Sequence, residues 1–318
     1  MHPARRREYA VTPVRWDPLS GTPMLLAPAR TSRPNDTAPG PTTERRSVAP
    51  CPFCPGSEHE TPPETWALRP DGSPPNGPGW LVRAVPNRFP VLPTDEGIHE
   101  VVINSPRHVL SLWDLTAVEL GAAIDGWATR EAAVRSDPRG LVPFLFVNQG
   151  AGAGASLQHS HAQVIGFPFM PPQLADRRAR FASASECPIC HELRNPATVR
   201  VVDTGGLAAW CPEAPPFSGA VRIAPVAHTS AWPATPGGTL ATFLGPLLRG
   251  LADACATTAL NLWLHHDPAS AGNAYHWHLE VIPRRGMLAG MELGAGVLSI
   301  FTEPELLAQA LLYRMASA

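Results

Sequence analysis

The sequence of 318 residues contains no lysine, so all 25 of its lysine or arginine positions are arginine. This absence excludes catalysis through a lysine Schiff base, and it excludes the lysine-containing phosphate loop of Walker-type proteins. Any phosphate must therefore be bound by arginine, by amide groups or by a metal ion. The formal charge of −2 also provides no basic surface of the kind that binds nucleic acid or membranes.

Long apolar segments are missing as well. No run of about eighteen apolar residues, the length that spans a membrane, occurs in the sequence. The basic segment Met1–Arg7 is not followed by the apolar core of a secretion signal, so we expect a cytoplasmic protein.

Four of the six cysteines form two CxxC pairs, Cys51/Cys54 and Cys187/Cys190. In a reducing compartment such pairs indicate metal or redox chemistry more than disulfides.

One stretch concentrates the residues suited to catalysis. Residues 148–166 read NQGAGAGASLQHSHAQVIG, a glycine-rich turn followed by HxHxQ. If a strand runs from His159 to Ile165, then His159, His161 and Gln163 share one face, because side chains alternate along a strand. The glycines let backbone amides approach an anion such as a phosphate. A phosphate-handling histidine site is one interpretation, and a loop followed by a strand with half-buried, unreactive histidines is the other.

The order of motifs in the first half of the chain recurs in the second half. Each half runs from a CxxC pair through strands to a histidine before a helix, and then through a strand to an HxH sequence. The first helix begins near Thr116, which forms a T-x-x-E capping box with Glu119, and the apolar pattern of 240–251 predicts its counterpart. The predicted strands are 80–85, 99–104, 141–147, 207–210, 220–224 and 260–265, after a hairpin that turns at 17–21. We therefore predict an α+β fold of two duplicated units, residues 1–175 and 176–318.

Two metal sites follow from this repeat. A tetrahedral zinc site needs four nitrogen or sulfur ligands, and each half offers two thiols and two histidines at repeated positions. The predicted ligands are Cys51, Cys54, His108 and His159 in the first half, and Cys187, Cys190, His228 and His276 in the second. A closed set of four ligands is structural, so we expect two structural Zn²⁺ ions. Competing histidines are His59 and His99 in the first half and His191 and His278 in the second, but these lack a counterpart in the other half.

With these motifs assembled, the sequence resembles the galactose-1-phosphate uridylyltransferase family of the histidine-triad superfamily. It is most similar to the two-zinc branch, which also contains the ADP-sugar phosphorylases. The resemblance is carried by RWDPLSG with APARTSRP, by PNRFPVL, by HEVVINSPRH and by GASLQHSHAQVIG. It implies two histidine-triad-like halves, each with an antiparallel sheet and helices packed on it, and it implies an enzyme that transfers nucleotides.

The resemblance also implies roles for individual residues. His161 is the implied nucleophile, which attacks the α-phosphorus of a nucleotide sugar to form a nucleotidyl-histidine intermediate. One of its ring N–H groups is expected to be held by the carbonyl of His159, while Gln163 and Ser156 donate hydrogen bonds to the phosphate. The implied substrate-binding residues are Arg30, Arg33, Asn87, Asn148, Gly152, Gly154 and Glu292.

The sequence departs from the family pattern at two positions, and its repeat leaves one choice open. The active-site triplet is His-Ser-His where many transferases have His-Pro-His, and Met291 stands beside Glu292 where the family commonly has an aromatic residue. From spacing alone, His278 in the second HxHxE is an alternative nucleophile. The glycine-rich loop and the glutamine occur only in the first half, and they favour His161.

The leading expectation is therefore a nucleotidyltransferase that moves a nucleoside monophosphate from UDP-hexose to hexose 1-phosphate in two displacements. The nearest alternative is an ADP-sugar phosphorylase, in which inorganic phosphate is the acceptor. An alternative of another class is a zinc-stabilised nucleotide-binding protein without catalysis. The expected partners are a nucleotide sugar and a sugar 1-phosphate or phosphate, with no nucleic acid and no membrane. The resemblance further implies a homodimer, in which Arg30 and Arg33 reach phosphates across the interface in some family members.

Overall fold

A short hairpin precedes the main body of the protein. The computed structural model describes residues 14–25, 27, 51–233, 236–267, 274–286 and 288–316. Strands β1 (Arg15–Trp16) and β2 (Pro23–Met24) pair antiparallel, and the carboxylate of Asp17 accepts hydrogen bonds from backbone amides of the turn between them. The predicted hairpin is thus confirmed. Arg30 and Arg33 lie outside the described residues.

Five strands and one long helix form the first half of the main body. The strands are β3 (Trp66–Leu68), β4 (Val82–Pro86), β5 (Ile98–Ile103), β6 (Val142–Gln149) and β7 (His161–Phe167). Helix α1 (Ala117–Arg135) connects β5 to β6. It begins with the predicted capping box, in which Thr116 Oγ1 accepts from the Glu119 amide and the Glu119 carboxylate accepts from the Thr116 amide.

The second half starts with two helices that the sequence analysis did not predict, α2 (Pro172–Ser183) and α3 (Pro188–Arg194). They are followed by β8 (Arg200–Thr204), β9 (Leu207–Trp210), β10 (Val221–Pro225), α4 (Gly237–Ala254), β11 (Leu260–His265), β12 (His278–Pro283), α5 (Gly290–Ala295) and α6 (Pro304–Ala316). Strands β9 and β11 have the predicted bounds, and the other predicted strands are shifted by at most two residues. Among the described helices there is no candidate for a membrane span, since each is too short or too polar.

Ten of these strands form one continuous antiparallel sheet. From edge to edge the order is β3-β4-β5-β7-β6 and then β11-β12-β10-β9-β8. Each half contributes five neighbouring strands in the same internal order, and the two halves meet where β6 pairs with β11. The α+β class and the duplicated organisation are therefore confirmed. The division into units at residues 175 and 176 stays a prediction, because the sheet is shared.

Helices α1, α4 and α6 cover one face of the sheet. Buried strand residues such as Ala162 and Val164 pack there with helical residues such as Leu120 and Leu244 in one apolar core. Each fully buried side chain of this kind contributes about 1.5–3 kcal/mol when it is of leucine size. Because side chains alternate along β7, the residues between those core positions face the other side of the sheet. That side carries the candidate site.

Candidate active site and metal sites

The HxHxQ sequence lies where β7 begins, between β5 and β6. His161 pairs with Ile103 of β5, and Gln163 pairs with Val101, so both side chains point away from the helix-covered face. His159 precedes the strand, which starts at His161 and not at His159 as the alternation argument assumed. The carbonyl of His159 nevertheless lies close to the ring of His161.

The first metal cluster joins the first CxxC turn, the loop after β5 and the residue at the entrance to β7. Nδ1 of His159 lies 3.7 Å from Sγ of Cys51 and 3.7 Å from Sγ of Cys54, and Nδ1 of His108 lies 3.3 Å from Sγ of Cys54. Nitrogen and sulfur ligands at their usual distances from a tetrahedral zinc ion are about 3.5 Å apart. All four ligand atoms lie within 4.8 Å of one another. The cluster therefore fits a tetrahedral cation.

Hydrogen bonding and burial prepare His159 to be a ligand. Its Nε2–H donates to the carbonyl oxygen of Ser105 at 2.8 Å, which leaves the lone pair on Nδ1, the atom that faces the cysteines. Burial lowers the pKa of His159 to about 4, so its ring is neutral at pH 7. Burial, together with the neighbouring Cys54, raises the pKa of the Cys51 thiol to about 11. A bound cation would hold this thiol as the thiolate.

The second half repeats this arrangement. Nδ1 of His276 lies 3.6 Å from Sγ of Cys187 and 3.5 Å from Sγ of Cys190, and Nδ1 of His228 lies 3.5 Å from Sγ of Cys190. Nε2–H of His276 donates to the carbonyl of Pro225 at 3.0 Å, and burial lowers the pKa of His276 to about 4. The structure thus brings together both predicted sets of four ligands. None of the competing histidines belongs to either set.

His161 is oriented to react through Nε2. Its Nδ1 lies 2.7 Å from the carbonyl oxygen of His159. Because a carbonyl only accepts, Nδ1 carries the hydrogen and Nε2 carries the lone pair in the neutral ring. The ring also packs edge-on against Phe53, with 5.4 Å between ring centroids. The hydrogen bond to the His159 carbonyl is the contact expected of the implied nucleophile. It links His161 directly to His159, a residue of the first metal cluster.

A cleft of about 580 Å³ opens beside His161. Its lining includes Trp113, Asn148, Gly150, His159 and His161, with Thr258 from the second half. Of the predicted substrate-binding residues, Asn148 therefore shares the cleft with the predicted nucleophile. A cleft of this size accommodates a small organic ligand.

The glycine-rich turn after β6 adopts backbone conformations that favour glycine. Gly150 has a φ of 78° and Gly154 a φ of 83°. The Gly154 amide donates to the carbonyl of Ala151 at 2.9 Å, so this amide is already engaged within the turn. Gly152 is exposed and Ser156 half-buried, and neither lines the cleft. The phosphate contacts of Gly152, Gly154 and Ser156 stay predictions.

Two further predicted substrate residues lie in different places. Asn87 is the residue after β4, and its Nδ2 lies 3.1 Å from Nε2 of His99. Nε2 of His99 also lies 3.0 Å from Oε1 of Gln163. Sequence analysis considered His99 only as a competing metal ligand and missed this contact. Glu292 lies on α5, where its carboxylate accepts a hydrogen bond from Ser299 Oγ at 2.7 Å. It does not line the cleft, and its sugar contact stays a prediction.

The alternative nucleophile, His278, is closed off from solvent. Its Nδ1 donates to the carbonyl of His276 at 2.9 Å, as His161 does to His159 in the first half. However, His278 is only 1% exposed, and a guanidinium nitrogen of Arg177 on α2 lies 3.3 Å from its Nε2. The lone pair that would attack a substrate thus accepts from an arginine. This geometry favours His161.

Glu280, the second-half counterpart of Gln163, belongs to a buried charged cluster. Its carboxylate contacts Arg222 at 3.0 Å, Arg177 at 3.3 Å and Nε2 of His265 at 2.9 Å. Burial opposes ionisation, but His265 and the two arginines hold the pKa of Glu280 below its usual range. His265, His278 and Glu280 are close enough to hold a metal ion, but two adjacent guanidinium groups disfavour a further cation. Sequence analysis missed this cluster because Arg177 lies on an unpredicted helix.

Comparison with known proteins agrees with this geometry. The family model described as galactose-1-phosphate uridyl transferase, N-terminal domain, matches residues 86–171. ADP-glucose phosphorylase of Arabidopsis thaliana is 26% identical over 317 residues, which cover 89% of this chain and 87% of that protein. Galactose-1-phosphate uridylyltransferase of Streptomyces lividans is 30% identical over 169 residues, or 53% of this chain and 42% of that protein. A crystal structure of an Arabidopsis thaliana ADP-glucose phosphorylase with bound ADP-glucose has a TM-score of 0.74 at 26% identity, covering 94% of this chain and 98% of the other.

The duplicated antiparallel sheet and the HxHxQ site beside a cleft, taken with these relatives, identify an enzyme that transfers nucleotides. Within that class, the chain is similar to galactose-1-phosphate uridylyltransferases and to ADP-glucose phosphorylase. The resemblance recognised in the sequence is thereby confirmed.

Proposed function

We propose that this protein moves a nucleoside monophosphate from a nucleotide sugar to a second phosphate-bearing substrate, with His161 as the nucleophile. In the first displacement, Nε2 of His161 attacks the α-phosphorus, and the sugar 1-phosphate leaves with the electrons of the broken P–O bond. An oxygen of the acceptor phosphate then attacks the nucleotidyl-histidine, and the P–N bond breaks to restore the imidazole. The observation that carries this proposal is the 2.7 Å contact from Nδ1 of His161 to the carbonyl of His159.

The leading assignment is a UDP-hexose as the donor and a hexose 1-phosphate as the acceptor, which would place the reaction in galactose metabolism. It is supported by the description of the matching family and by the uridylyltransferase relative. Developing negative charge on the phosphoryl oxygens would be stabilised by amide donors of Gln163 and Asn148. The remaining proposed substrate contacts are those of Arg30, Arg33, Asn87, Gly152, Gly154, Ser156 and Glu292.

Zinc is the cation that we propose for both four-ligand clusters. Bound zinc would stabilise the thiolates and cross-link distant segments of each half. In the first half, His159 would then be fixed at Nδ1 by the metal and at Nε2 by Ser105, while its carbonyl holds the ring of His161. No step of the reaction passes through the metal. Its proposed contribution is to keep the nucleophile in one orientation.

The test of the nucleophile is covalent labelling. The protein is incubated with UDP-glucose or ADP-glucose labelled at the α-phosphate, without acceptor, and bound label is measured after denaturation at alkaline pH, where phosphoramidates persist. We expect label on the wild type and on His59→Ala, a change at an exposed histidine outside the site, and no label on His161→Ala. Wild-type labelling of His161→Ala would overturn the assignment.

A second candidate function is phosphorolysis of an ADP-sugar. A specific observation favours it: the match to the plant ADP-glucose phosphorylase extends over 87% of that protein, whereas the match to the Streptomyces uridylyltransferase covers only 42% of that protein. The chemistry at His161 would be the same, with inorganic phosphate as the acceptor. Assays of UDP-glucose and ADP-glucose, each with galactose 1-phosphate or phosphate, separate the two. Formation of UDP-galactose supports the first candidate, and formation of ADP supports the second.

The same assays test the alternative of another class, a zinc-stabilised nucleotide-binding protein. Tight nucleotide binding with neither labelling nor product would support that alternative and overturn both enzymatic candidates. We further propose that the protein acts in the cytoplasm as a homodimer, without nucleic acid or membrane partners. Sedimentation analysis that finds only monomer would overturn the dimer.

A further inference from the structure

Two amide side chains lie near the proposed nucleophile: Gln163 follows His161 by two residues on β7, and Asn148 of the neighbouring strand β6 lines the same cleft as His161. An amide can present either its NH₂ group or its carbonyl oxygen to a ligand, and only the NH₂ group can donate to a phosphoryl oxygen. If a neighbouring donor holds the carbonyl oxygen of the amide, the NH₂ group is left to face the ligand, and the side chain attracts phosphate. If the oxygen faces the ligand instead, the side chain repels phosphate. The neighbouring donor is His99 for Gln163 and Asn261 for Asn148. In each of these residues, a hydrogen bond with the backbone shows which nitrogen carries hydrogen.

The polarity of Gln163 is set by His99. The backbone amide of Val91 donates to Nδ1 of His99 at 3.2 Å, so Nε2 of His99 carries the ring hydrogen. This Nε2–H donates to Oε1 of Gln163 at 3.0 Å. Nδ2 of Asn87 lies 3.1 Å from the same Nε2, and because the Asn87 oxygen accepts from the Phe89 amide at 2.8 Å, this contact brings two donors together and is not a hydrogen bond. We assign the tautomer from the Val91 backbone amide, which can only donate. Gln163 thus has its carbonyl oxygen engaged, and its NH₂ group remains for a ligand.

The polarity of Asn148 is set by Asn261 of the second half. Nδ2 of Asn261 donates to the carbonyl oxygen of Ala153 at 3.0 Å, which fixes that atom as the NH₂ nitrogen. The same nitrogen donates to Oδ1 of Asn148 at 2.8 Å. Asn148 and Asn261 are opposite each other where β6 pairs with β11, the junction of the two half-sheets. Asn148 therefore also keeps its NH₂ group for a ligand in the cleft.

We infer that His99 and Asn261 are positioning residues for nucleotidyl transfer, which hold Gln163 and Asn148 with their donors available to the α-phosphate. The inference rests on the proposed function for its kinetic consequence and on the contacts above for its geometry. It also gives the second half a part in catalysis. Asn261 reaches the reacting centre through one hydrogen bond, although the second half's own histidine site is sealed.

The kinetic test for His99 is a double-mutant cycle with Gln163. Loss of one preorganised donor lowers kcat by about 100–1000-fold, so we expect that for Gln163→Ala. His99→Phe, which keeps the ring but removes the donor, should lower kcat by about 10–100-fold and change KM for the nucleotide sugar by less than about threefold. His99→Gln, which can still donate, should recover most of kcat. If His99 acts through Gln163, adding His99→Phe to Gln163→Ala should cost less than about twofold more.

The matched control is His59→Phe at an exposed position, for which kcat should be unchanged. Thermal unfolding of every variant reports loss of structure separately from loss of kcat. If the fold-loss of kcat in the double variant equals the product of the losses in His99→Phe and Gln163→Ala, the inference for His99 is overturned. An equal loss of kcat in His99→Gln and His99→Phe would overturn it as well.

Asn261 is tested by the same cycle with Asn148. Asn261→Ala should lower kcat by about tenfold or more in the wild-type background and have little further effect in Asn148→Ala. Asn195→Ala, at the end of α3, is the control. Multiplication of the two effects, or a wild-type kcat in Asn261→Ala, would overturn the role of Asn261.

A measurement without turnover separates this inference from the proposed function. In ¹⁵N-histidine-labelled protein, the ring nitrogen shifts report which nitrogen carries the hydrogen, and comparison with His99→Phe assigns the His99 signals. We expect the Nε2–H tautomer at pH 8. An Nδ1–H tautomer would overturn the inference even in an active enzyme. An inactive wild type that shows the Nε2–H tautomer would instead overturn the proposed function and leave the positioning geometry supported.

Discussion

Asn104, the residue after β5, connects the helical layer to the active-site strand, and its removal should be costly. Its side chain is fully buried and accepts a hydrogen bond from Nε1–H of Trp127 on α1 at 2.8 Å. Its Nδ2 donates to Oγ of Ser160 at 2.9 Å, and its backbone amide donates to the Ser160 carbonyl at 3.1 Å. Ser160 lies between His159 and His161. One side chain thus holds both a core tryptophan and the segment that carries the nucleophile.

The cost of Asn104→Ala can be worked from these contacts. The substitution leaves the buried indole N–H of Trp127 without its acceptor, which should cost about 1–3 kcal/mol of stability. It also removes the hydrogen bond to Ser160, which should cost about 0.5–1.5 kcal/mol. We expect the free energy of unfolding to fall by about 1.5–4.5 kcal/mol in total. Trp127→Phe removes the group that would be stranded, so the double variant should lose less than the sum of the single losses, by about 1–2 kcal/mol.

Urea unfolding followed by far-ultraviolet circular dichroism measures these free energies. The control is Asn195→Ala at a half-exposed position, which removes only the hydrogen bond that its side chain accepts from the Ala197 amide at 3.0 Å and should cost no more than about 1 kcal/mol. A loss of less than about 0.5 kcal/mol in Asn104→Ala, or simple addition of the two single effects, would show that the buried bond does not stabilise the fold as argued.

The remaining predictions concern the metal, pH and the second half. Protein purified without chelator should contain two zinc ions per chain, and Cys54→Ser and Cys190→Ser should each lose one by elemental analysis; zinc-free wild type would contradict the metal assignment. Burial lowers the pKa of His265 to about 4, below the usual 6.5. In acid the unfolded chain therefore binds a proton at this histidine before the folded protein does, and the free energy of unfolding should fall by about 3 kcal/mol from pH 6.5 towards pH 4. Urea unfolding across this pH range checks that loss, and constant stability would contradict it. His278→Ala should keep covalent labelling at His161 while lowering the thermal midpoint, and loss of label in a folded variant would contradict the choice of nucleophile.

Features set by local chemistry could be predicted from the sequence. The metal clusters were found because cysteine pairs and histidines at repeated positions have few uses other than metal binding, and the structure brings all eight residues together in two sets. The first capping box was found because Thr116 and Glu119 satisfy each other within one turn. The contact of His161 with the carbonyl of His159, which was expected from the family resemblance, spans only two residues.

Features set by strand register could not be predicted in this way. His99 and Gln163 are separated by 64 residues, and Asn148 and Asn261 by 113 residues. Their contacts depend on which strands become neighbours and in what register, and a local pattern of polar and apolar residues does not specify that choice. Helix α2 was missed because only Leu174 and Phe181 of its 12 residues are buried and its exposed face is rich in arginine, so it has few apolar residues to mark it.

The two halves have kept one fold while their chemistry has diverged, and a single position accounts for much of the difference. The first half has Gln163, a neutral amide that can donate to a phosphate, where the second half has Glu280, a carboxylate that would repel one. Burying that carboxylate required compensation, which Arg222 and Arg177 supply at 3.0 Å and 3.3 Å. The guanidinium of Arg177 then also occupies the lone pair of His278. An acidic residue at this position therefore gives the second half a sealed ionic core, and the part that we propose for this half in the reaction is that of Asn261 at the shared strand pair.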